Sequence, residues 1–315
     1  MKGFHKLIGI VLSLTMITLI SGCGGSSSST PSANVETGIL SLSITDAPMS
    51  KKLDGKVATE VNIAVIGIEY HLSDGEWADV NDFKDNNFVP QTFNLLDLKD
   101  GNSLPLGDFE LPAGHYTQIR FMLAIPKNEG EVKSNPDCNI TLVEGGVSET
   151  KPLFVPSGGQ SGYKGIGEFY ITKDANVSIT ADWDASRSIV VAGDKYILKP
   201  VIRLVVTELT GWINGTVLNV ADYNATDSLV VYAYKENIYD EVGEPEDFLK
   251  AVTSGEVNMS EGNFTLAFLG AGFYDLVTAY YDDGNYAGVA DVEYDVEVFK
   301  AEGTPVELTI TKPTP

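Results

Sequence analysis

Acidic side chains are the residues of this chain whose spacing best suits metal chemistry. Asp79, Asp82 and Asp85 recur every third residue within a polar stretch. Asp182 and Asp184 occupy alternate positions of a predicted strand, which places both carboxylates on one face. Calcium takes six to eight oxygen ligands, so these five aspartates form a candidate calcium site. The first stretch lacks the glycine and the terminal glutamate of an EF-hand loop, and a solvated acidic loop is the alternative.

Aromatic side chains supply a candidate ligand-binding surface. Trp77, Trp183, Tyr232 and Tyr234 have flat faces that suit sugar stacking beside a neighbouring Asp or Asn. Tyrosine is also a favoured strand residue. Packing in the core or at a sheet edge is therefore the alternative for these positions.

Residues for covalent or acid–base catalysis are scarce. His71 and His115 are the only histidines after the N-terminal segment, and both lie next to predicted turns. The sequence has no Gly-x-Ser-x-Gly elbow, P-loop, Cys-x-x-Cys or His-x-x-x-His pair. We therefore expect no enzyme and no cofactor other than calcium.

The charge balance argues against a nucleic-acid partner. The chain has 21 Lys and Arg against 44 Asp and Glu, a formal net charge of −23 at pH 7. Such a field repels a phosphate polyanion. The 315 residues, 43% of them hydrophobic, are enough for about two packed domains.

Alternation of apolar and polar residues dominates the chain from Gly38 onward and predicts an all-β protein. A short helical turn is expected at 94–98. A long apolar strand ends before Thr210-Gly211, and a new set of strands begins there. We therefore expect two tandem β-sandwich domains, 37–208 and 209–315. The second resembles transthyretin-like or immunoglobulin-like sandwiches. The predicted strands are 40–44, 57–68, 116–124, 177–183, 196–206 (its apolar run 197–209), 211–217, 228–234, 263–268, 274–281 and 306–310.

One six-residue pattern occurs in both halves. Leu111-Pro112-Ala113-Gly114-His115-Tyr116 matches Leu269-Gly270-Ala271-Gly272-Phe273-Tyr274. In each copy the glycine is expected to supply the unusual φ of a tight turn, and the tyrosine to begin the next strand facing inward. The pattern resembles the hairpin elbow of transthyretin-like sandwiches, with chance convergence on turn chemistry as the alternative.

The N-terminal segment, 1–22, is predicted to be a lipoprotein signal peptide. Its apolar run, 7–20, spans about 21 Å as a helix, less than the roughly 30 Å hydrocarbon core of a bilayer. Ile20-Ser21-Gly22-Cys23 resembles the lipobox of bacterial lipoproteins. The resemblance implies cleavage after Gly22 and acylation of Cys23 with lipid chains such as palmitate. Secretion with an unmodified cysteine is the alternative.

Residues 23–36 are predicted to be an acylated cysteine followed by a flexible Gly/Ser tether. The expected location is the cell envelope, at the outer membrane or cell surface in preference to the inner membrane. With Cys23 acylated, Cys138 is the single thiol left, and we expect it to be inert.

Several segments in order resemble an uncharacterised bacterial and archaeal lipoprotein family, known only as a domain of unknown function. The match covers about 37–207 and implies a β-sandwich with no established reaction. The segments that carry the resemblance are Gly38 to Pro48 (GILSLSITDAP), Trp77, Phe93 to Leu98 (FNLLDL), Leu111 to Arg120 (LPAGHYTQIR), Asp184 to Val190 (DASRSIV) and Tyr196 to Arg203 (YILKPVIR).

The second domain is similar to carboxypeptidase-regulatory-like and carbohydrate-binding-like sandwiches, through Gly215-Thr216-Val217, Phe264-Thr265-Leu266 and Gly272 to Leu276. The resemblance implies a spacer or interaction module, of which some bind sugar. This chain departs from the pattern at Glu261-Gly262-Asn263-Phe264 and in a longer polar insertion, 237–249.

These observations favour a lipid-anchored, non-enzymatic protein with a binding or structural role. The expected partners are the membrane, through the anchor, and a polysaccharide or another surface protein. A calcium-stabilised adhesion or assembly module is the first alternative, and a carbohydrate-active enzyme is the second.

Overall fold

The described part of the chain begins within the predicted tether. The computed structural model describes residues 35–49, 52–80, 89–125, 134–224, 226–242 and 248–313. The predicted signal peptide, the lipidation site Cys23, and the candidate ligands Asp82 and Asp85 lie outside the described residues. Residues Val35–Pro315 form one compact unit.

Thirteen strands of the described chain form a single sheet. Their bounds are β1 (Thr37–Ala47), β2 (Val57–Leu72), β3 (Trp77–Asp79), β4 (Gln91–Asn94), β5 (Leu104–Pro112), β6 (Gly114–Leu123), β7 (Asn139–Glu144), β8 (Val147–Phe154), β9 (Tyr163–Ile171), β10 (Asn176–Asp184), β11 (Ile189–Ala192), β12 (Lys195–Leu198) and β13 (Ile202–Val206). The strand order is β11-β12-β8-β7-β2-β6-β9-β13-β10-β1-β5, with β3 and β4 paired to β2.

Alternate burial along β1 shows why this sheet forms. Leu40, Leu42 and Ile44 are 0–1% exposed, while the serines between them reach the surface. Each such burial stabilises the fold by roughly 1.5–3 kcal/mol. Buried side chains of all thirteen strands except β3 and β4 belong to one core, so the sheet must curve around it.

Seven further strands form two sheets that face each other. Their bounds are β14 (Thr210–Val217), β15 (Asp227–Lys235), β16 (Thr253–Glu256), β17 (Asn263–Gly270), β18 (Gly272–Asp282), β19 (Asn285–Val298) and β20 (Gly303–Leu308). The orders are β17-β14-β20 and β16-β15-β18-β19. Ile213 and Leu266 of the first sheet share a core with Leu229 and Leu276 of the second, which is the packing of a β-sandwich.

The predicted all-β class is therefore confirmed. The predicted boundary near Thr210-Gly211 coincides with the start of β14, and none of the described strands is shared between the sheets on its two sides. We call 37–208 the N-terminal domain and 209–315 the C-terminal domain, a division that remains our proposal.

Helical structure in the described residues is limited to single turns. The 3-10 turn Leu95–Leu98 confirms the turn expected at 94–98, and the side chain of Asn94 accepts a hydrogen bond from the Leu96 N–H. The others are α1 (Ala185–Ser188) and the 3-10 turns Thr207–Leu209 and Val220–Asp222. Within the described residues, no helix has the length and hydrophobicity needed to cross a bilayer.

The strand predicted at 196–206 is two strands. β12 pairs with β8 and β11, whereas β13 pairs with β9 and β10. Pro200 lies between them, and proline has no N–H to continue a ladder. The predicted apolar run to residue 209 likewise ends in a 3-10 turn.

The two copies of the repeated pattern place their tyrosines alike. Tyr116 and Tyr274 are both 0% exposed. The Tyr116 hydroxyl donates to the Pro112 carbonyl oxygen at 2.5 Å, and the Tyr274 hydroxyl donates to the Gly270 carbonyl oxygen at 2.7 Å. Both are tyrosine corners, in which the ring hydroxyl bonds the backbone a few residues upstream.

The glycines of the two corners differ in backbone conformation and in what surrounds them. Gly272 has a φ of +139°, which confirms the unusual backbone expected there. Gly114 has no positive φ, and the expectation is wrong for this copy. A Cβ on Gly114 would lie 2.5 Å from Leu72 Cδ2, so a larger residue there would make the end of the Leu72 side chain shift.

Removal of either corner hydroxyl should destabilise the protein. We expect Tyr116→Phe and Tyr274→Phe each to lower the free energy of unfolding by about 1–2 kcal/mol, because a carbonyl loses its buried donor. Chemical denaturation measures the change. Tyr294→Phe, at a ring that is 59% exposed, is the control. Corner variants as stable as this control would contradict the assignment.

Candidate ligand groove at the junction of the two domains

An arginine that forms an ion pair inside the N-terminal domain also connects it to the C-terminal domain. Arg203 on β13 is the register partner of Asp182 on β10, and its Nη2 lies 2.5 Å from Asp182 Oδ2. The Asp182 side chain is 8% exposed. Arg203 Nη1 also donates to the carbonyl oxygen of Phe268 on β17 at 3.2 Å. One guanidinium thus neutralises a carboxylate of one domain and holds a strand of the other.

A second arginine makes the same kind of connection. Asp184 caps α1, because its Oδ1 accepts a hydrogen bond from the Arg187 N–H at 2.9 Å. Arg187 Nε lies 2.5 Å from Asp184 Oδ2. Arg187 Nη1 donates to the carbonyl oxygens of Leu249 and Ala251 at 2.9 and 3.3 Å.

A third carboxyl group lies near the two carboxylates that the arginines bond. Asp46 Oδ1 accepts a hydrogen bond from the Ala185 N–H at 2.8 Å. Burial raises the pKa of Asp46 well above its usual range, and the charges of Asp184 and Asp182 add to the effect. Burial also raises the pKa of Asp182, against the opposing effect of Arg203. Both carboxyls therefore keep a proton to higher pH than exposed aspartates do.

Arginine side chains bond two of the carboxylates that the sequence analysis proposed as calcium ligands. Asp182 and Asp184 each bond a guanidinium, and Asp79 lies at the end of β3. In the described ranges, no group of three or more His, Cys, Asp or Glu could hold a metal ion. Asp82 and Asp85 lie outside those ranges. Calcium binding remains a prediction.

Three of the four candidate aromatic residues are less exposed than a sugar-binding surface requires. Trp183 and Tyr234 are 0% exposed, so neither ring can stack on a sugar in this structure. Trp183 packs edge-on against Phe121 in the core, with ring centroids 5.7 Å apart. Trp77 is half-buried, and the Arg120 guanidinium lies 3.7 Å from its ring centroid. A cation of the protein itself therefore covers a face of that ring.

The fourth aromatic candidate is covered by Phe248, near the end of the insertion at 237–249. The ring of Tyr232 stacks on Phe248, with centroids 4.0 Å apart and planes at 10°. Its hydroxyl lies 2.9 Å from the Tyr281 hydroxyl, and burial raises its pKa. The insertion, predicted as a polar segment, brings an apolar side chain onto the sheet. Tyr232 is thus half-buried and packs against a core cluster, the alternative given above.

A turn of the N-terminal domain lies on the outer face of the sheet β17-β14-β20. We call Lys99-Asp100-Gly101 the wall turn. Asp100 and Gly101 have φ of 62° and 83°, and a Cβ on Gly101 would lie 3.3 Å from the Cβ of Ala267. Lys99 Nζ bonds Glu256 Oε2 at 2.6 Å across the junction.

Thr45 of β1 holds the wall turn in place. Its hydroxyl, in a side chain that is 2% exposed, lies 2.9 Å from the Leu98 carbonyl oxygen and 2.7 Å from that of Asn102. Thr45 and Asp46 are adjacent in the opening motif of the N-terminal domain. The motif thus positions both the turn and α1.

Charge coupling across the junction shifts two pKa values in the wall turn. Burial raises the pKa of Asp100, and the charge of Glu256 adds to this while Lys99 opposes it. For Lys99, burial works to lower the pKa, but the hydrogen bond and charge of Glu256 outweigh it and the pKa is raised. The ammonium of Lys99 is therefore held in its charged, paired form.

Two adjoining cavities lie along the wall turn, with volumes of about 670 and 520 Å³. Both are lined by Asp100, Asn214 and Thr265. The larger is also lined by Lys99, Gly215, Thr216, Glu256, Val257, Asn258, Met259, Asn263 and Phe264. The smaller is also lined by Gly101, Thr207, Thr210, Gly211, Trp212, Ala267, Phe268 and Ala301. We call the pair of cavities the junction groove.

The central strand β14 forms the floor of the junction groove. Trp212, Asn214 and Thr216 alternate with buried residues, so all three face outward. The Trp212 side chain is 38% exposed. Gly303 is its register partner on β20, and a Cβ there would lie 2.5 Å from the indole Nε1. The indole thus lies over backbone that only glycine leaves free.

The sequence analysis missed this row of residues. Its signal was present, because Trp212, Asn214 and Thr216 are at period two in a predicted strand. An exposed tryptophan at such a position favours a ligand surface over a core. The wall turn could not have been placed beside it, because its partners in the floor are more than 100 residues away in sequence.

Comparison with known proteins assigns the N-terminal domain to a family. The model of the family described as "Domain of unknown function (DUF4382)" matches residues 37–200, just over half of the chain. The chain belongs to this family. The resemblance to a family of unknown function is thereby confirmed, whereas the match bears on neither the lipobox nor the individual motifs. No curated protein matches the chain.

Solved structures with similarity to this chain include a Bacillus anthracis protein and two pilins. The Bacillus anthracis TIE protein is 14% identical at a TM-score of 0.21, covering 87% of this chain and 34% of that one. GBS52, the minor pilin of Streptococcus agalactiae, is 14% identical at a TM-score of 0.21, and the match covers 87% of this chain and 97% of GBS52. BcpA, the major pilin subunit of Bacillus cereus, is 13% identical at a TM-score of 0.21, and the match covers 88% of this chain and 71% of BcpA. The DUF4382 chain thus spans about a third of the TIE protein, and TM-scores this low support no inference.

Loss of Arg203 should weaken the junction. We expect Arg203→Gln to lower the free energy of unfolding by about 2–3 kcal/mol, because it leaves the buried Asp182 without its cation. Chemical denaturation measures the loss. Lys173→Gln is the control, because its pair with Glu36 is 58% and 62% exposed and should cost less than about 1 kcal/mol. Equal effects of the two substitutions would contradict a structural role for the buried pair.

Proposed function

We propose that this DUF4382 protein is a non-catalytic, lipid-anchored protein of the cell envelope that binds a polysaccharide in the junction groove. The anchor is the acylated Cys23, followed by the flexible tether. The expected site is the outer membrane or cell surface. The observation that carries the binding role is the outward row of Trp212, Asn214 and Thr216 along the floor of two adjoining cavities.

The floor offers the two kinds of contact that sugars need. A pyranose ring presents an apolar face of C–H groups, which packs on an aromatic ring such as the exposed indole of Trp212. Its hydroxyls require donors and acceptors, which Asn214 and Thr216 provide on the same strand. Thr265 Oγ1 lies 3.4 Å from Asn214 Oδ1, and this polar row thus continues onto β17.

The shape of the junction groove favours a chain over a single sugar. Its two cavities share a boundary formed by Asp100, Asn214 and Thr265. A polymer can occupy both at once, with several rings along β14. The floor belongs to the C-terminal domain and the wall turn to the N-terminal domain, so both domains are needed for binding.

Substitution of the tryptophan tests the binding role. The complete chain, purified in detergent, is applied to a glycan array, and positive glycans are titrated by calorimetry. We expect Trp212→Ala to weaken binding about tenfold, because a stacking surface is lost. Gly303→Ala should also weaken binding, because its methyl group displaces the indole without removing it.

Tyr294→Ala is the matched control, since it removes an exposed aromatic ring from β19, away from the junction groove. Unfolding curves of all variants separate lost binding from lost fold. Full binding by both Trp212→Ala and Gly303→Ala would contradict the proposal. An array on which the wild type binds no glycan would shift the binding role to a surface protein.

The lipid anchor has its own test. Cys23→Ser should release the protein from the membrane fraction of expressing cells, because the thioether that carries the acyl chains cannot form. Labelling with a radioactive or clickable palmitate should be lost in the same variant. Cys138→Ser is the control and should remain membrane-bound. Release of neither variant, or an unacylated Cys23 by mass spectrometry, would contradict the anchor.

A further inference from the structure

The positive charge in the junction groove is already neutralised by the protein. Lys99 is the only Lys or Arg among the described residues that line either cavity. Its ammonium lies 2.6 Å from Glu256 Oε2. An incoming anion would have to compete with that carboxylate, so the groove offers no unpaired cation to a charged sugar.

A carboxylate that forms no ion pair with any described residue stands at the centre of the groove. Asp100 lines both cavities, whereas Lys99 is bonded to Glu256. The left-handed backbone of the wall turn fixes the position of Asp100 beside Asn214 and Thr265. A carboxylate accepts hydrogen bonds from hydroxyl groups strongly, and it repels another carboxylate at the same distance.

The charge of the whole chain acts in the same direction. The formal net charge is −23 at pH 7, so the long-range field opposes approach of a polyanion. This field is screened by salt within about 10 Å at 0.1 M ionic strength. A neutral polymer experiences neither the local nor the long-range repulsion.

We propose that the junction groove selects uncharged polysaccharides over uronic-acid polymers, and that Asp100 and the Lys99–Glu256 pair determine this selectivity. The inference rests on the proposed polysaccharide-binding function. Asp100 accepts hydrogen bonds from neighbouring sugar hydroxyls and excludes carboxylate-bearing rings. Glu256 keeps Lys99 from attracting them.

Matched oligosaccharides that differ only in charge test the proposal. The probes are cellohexaose with its glucuronate counterpart, and mannohexaose with its mannuronate counterpart. Calorimetry with the complete chain gives Kd values at 50 and 500 mM NaCl. We expect one or both neutral hexamers to bind with Kd changing less than twofold between the two salt concentrations. The uronate hexamers should bind at least tenfold more weakly at low salt and improve at high salt, because screening reduces the repulsion.

Two isosteric substitutions assign the selectivity to residues. Asp100→Asn keeps a hydrogen-bonding group and removes the charge, so the preference for the neutral hexamer should fall about tenfold. Glu256→Gln should improve uronate binding, because it frees the Lys99 ammonium. Glu293→Gln removes one charge from an exposed position on β19 and is the control for net charge. It should leave the preference within twofold of the wild type.

The outcomes separate the inference from the function it rests on. Equal affinity of the wild type for neutral and uronate hexamers, with both lost in Trp212→Ala, would overturn the selectivity and leave the binding function intact. An unchanged preference in Asp100→Asn and Glu256→Gln would likewise overturn the roles of these residues. Absence of binding to every hexamer, together with a blank glycan array, would overturn both proposals.

Discussion

A carboxylate withdrawn from water must be compensated by a positive charge or take up a proton, and this constraint governs the junction of the two domains. Asp182 is compensated by Arg203 and Asp184 by Arg187, whereas Asp46 has a raised pKa. The same guanidinium groups bond carbonyl oxygens of the C-terminal domain, at Phe268, Leu249 and Ala251. A guanidinium has five donors in a fixed plane, so an arginine can satisfy a carboxylate and a neighbouring backbone at once. The arginines that balance the buried charges of the N-terminal domain thereby also bond the backbone of the C-terminal domain.

This arrangement explains why a binding groove can be assembled from two domains. A groove whose wall and floor belong to different bodies keeps its shape only when the bodies are held together. Here Thr45 fixes the wall turn from within the N-terminal core, and Lys99 bonds Glu256 from the outside. Polar anchoring of this kind also sets the relative orientation of the domains, because hydrogen bonds are directional whereas apolar contacts are not.

The sequence predicted local structure better than the placement of its parts. Strict alternation in β1 and the polar cap at Asn94 act over a few residues, so the strand and the 3-10 turn could be located directly. Pro200 is also a local signal, but the sequence analysis overlooked the break between β12 and β13 that it causes. The surroundings of the aromatic candidates could not be predicted for another reason, because the exposure of a ring such as Tyr232 depends on a segment distant in sequence, here the one that carries Phe248. The groove could not be predicted from the sequence, because it depends on contacts between residues more than 100 positions apart. Examples are the parallel pairing of β1 with β10 and the contact of the wall turn with β17.

Cys138 has a practical consequence for work on this family member. Its side chain is 0% exposed, and burial raises its pKa to about 11, so a thiolate is almost absent at neutral pH and reagents in solution do not reach it. Beyond the predicted tether it is the only cysteine of the chain. In the Cys23→Ser variant, a cysteine introduced at an exposed position can therefore be derivatised alone, with the native Cys138 left in place. Pairs of such probes, one in each domain, would report the distance across the junction by spin-echo or fluorescence methods without a cysteine-free background.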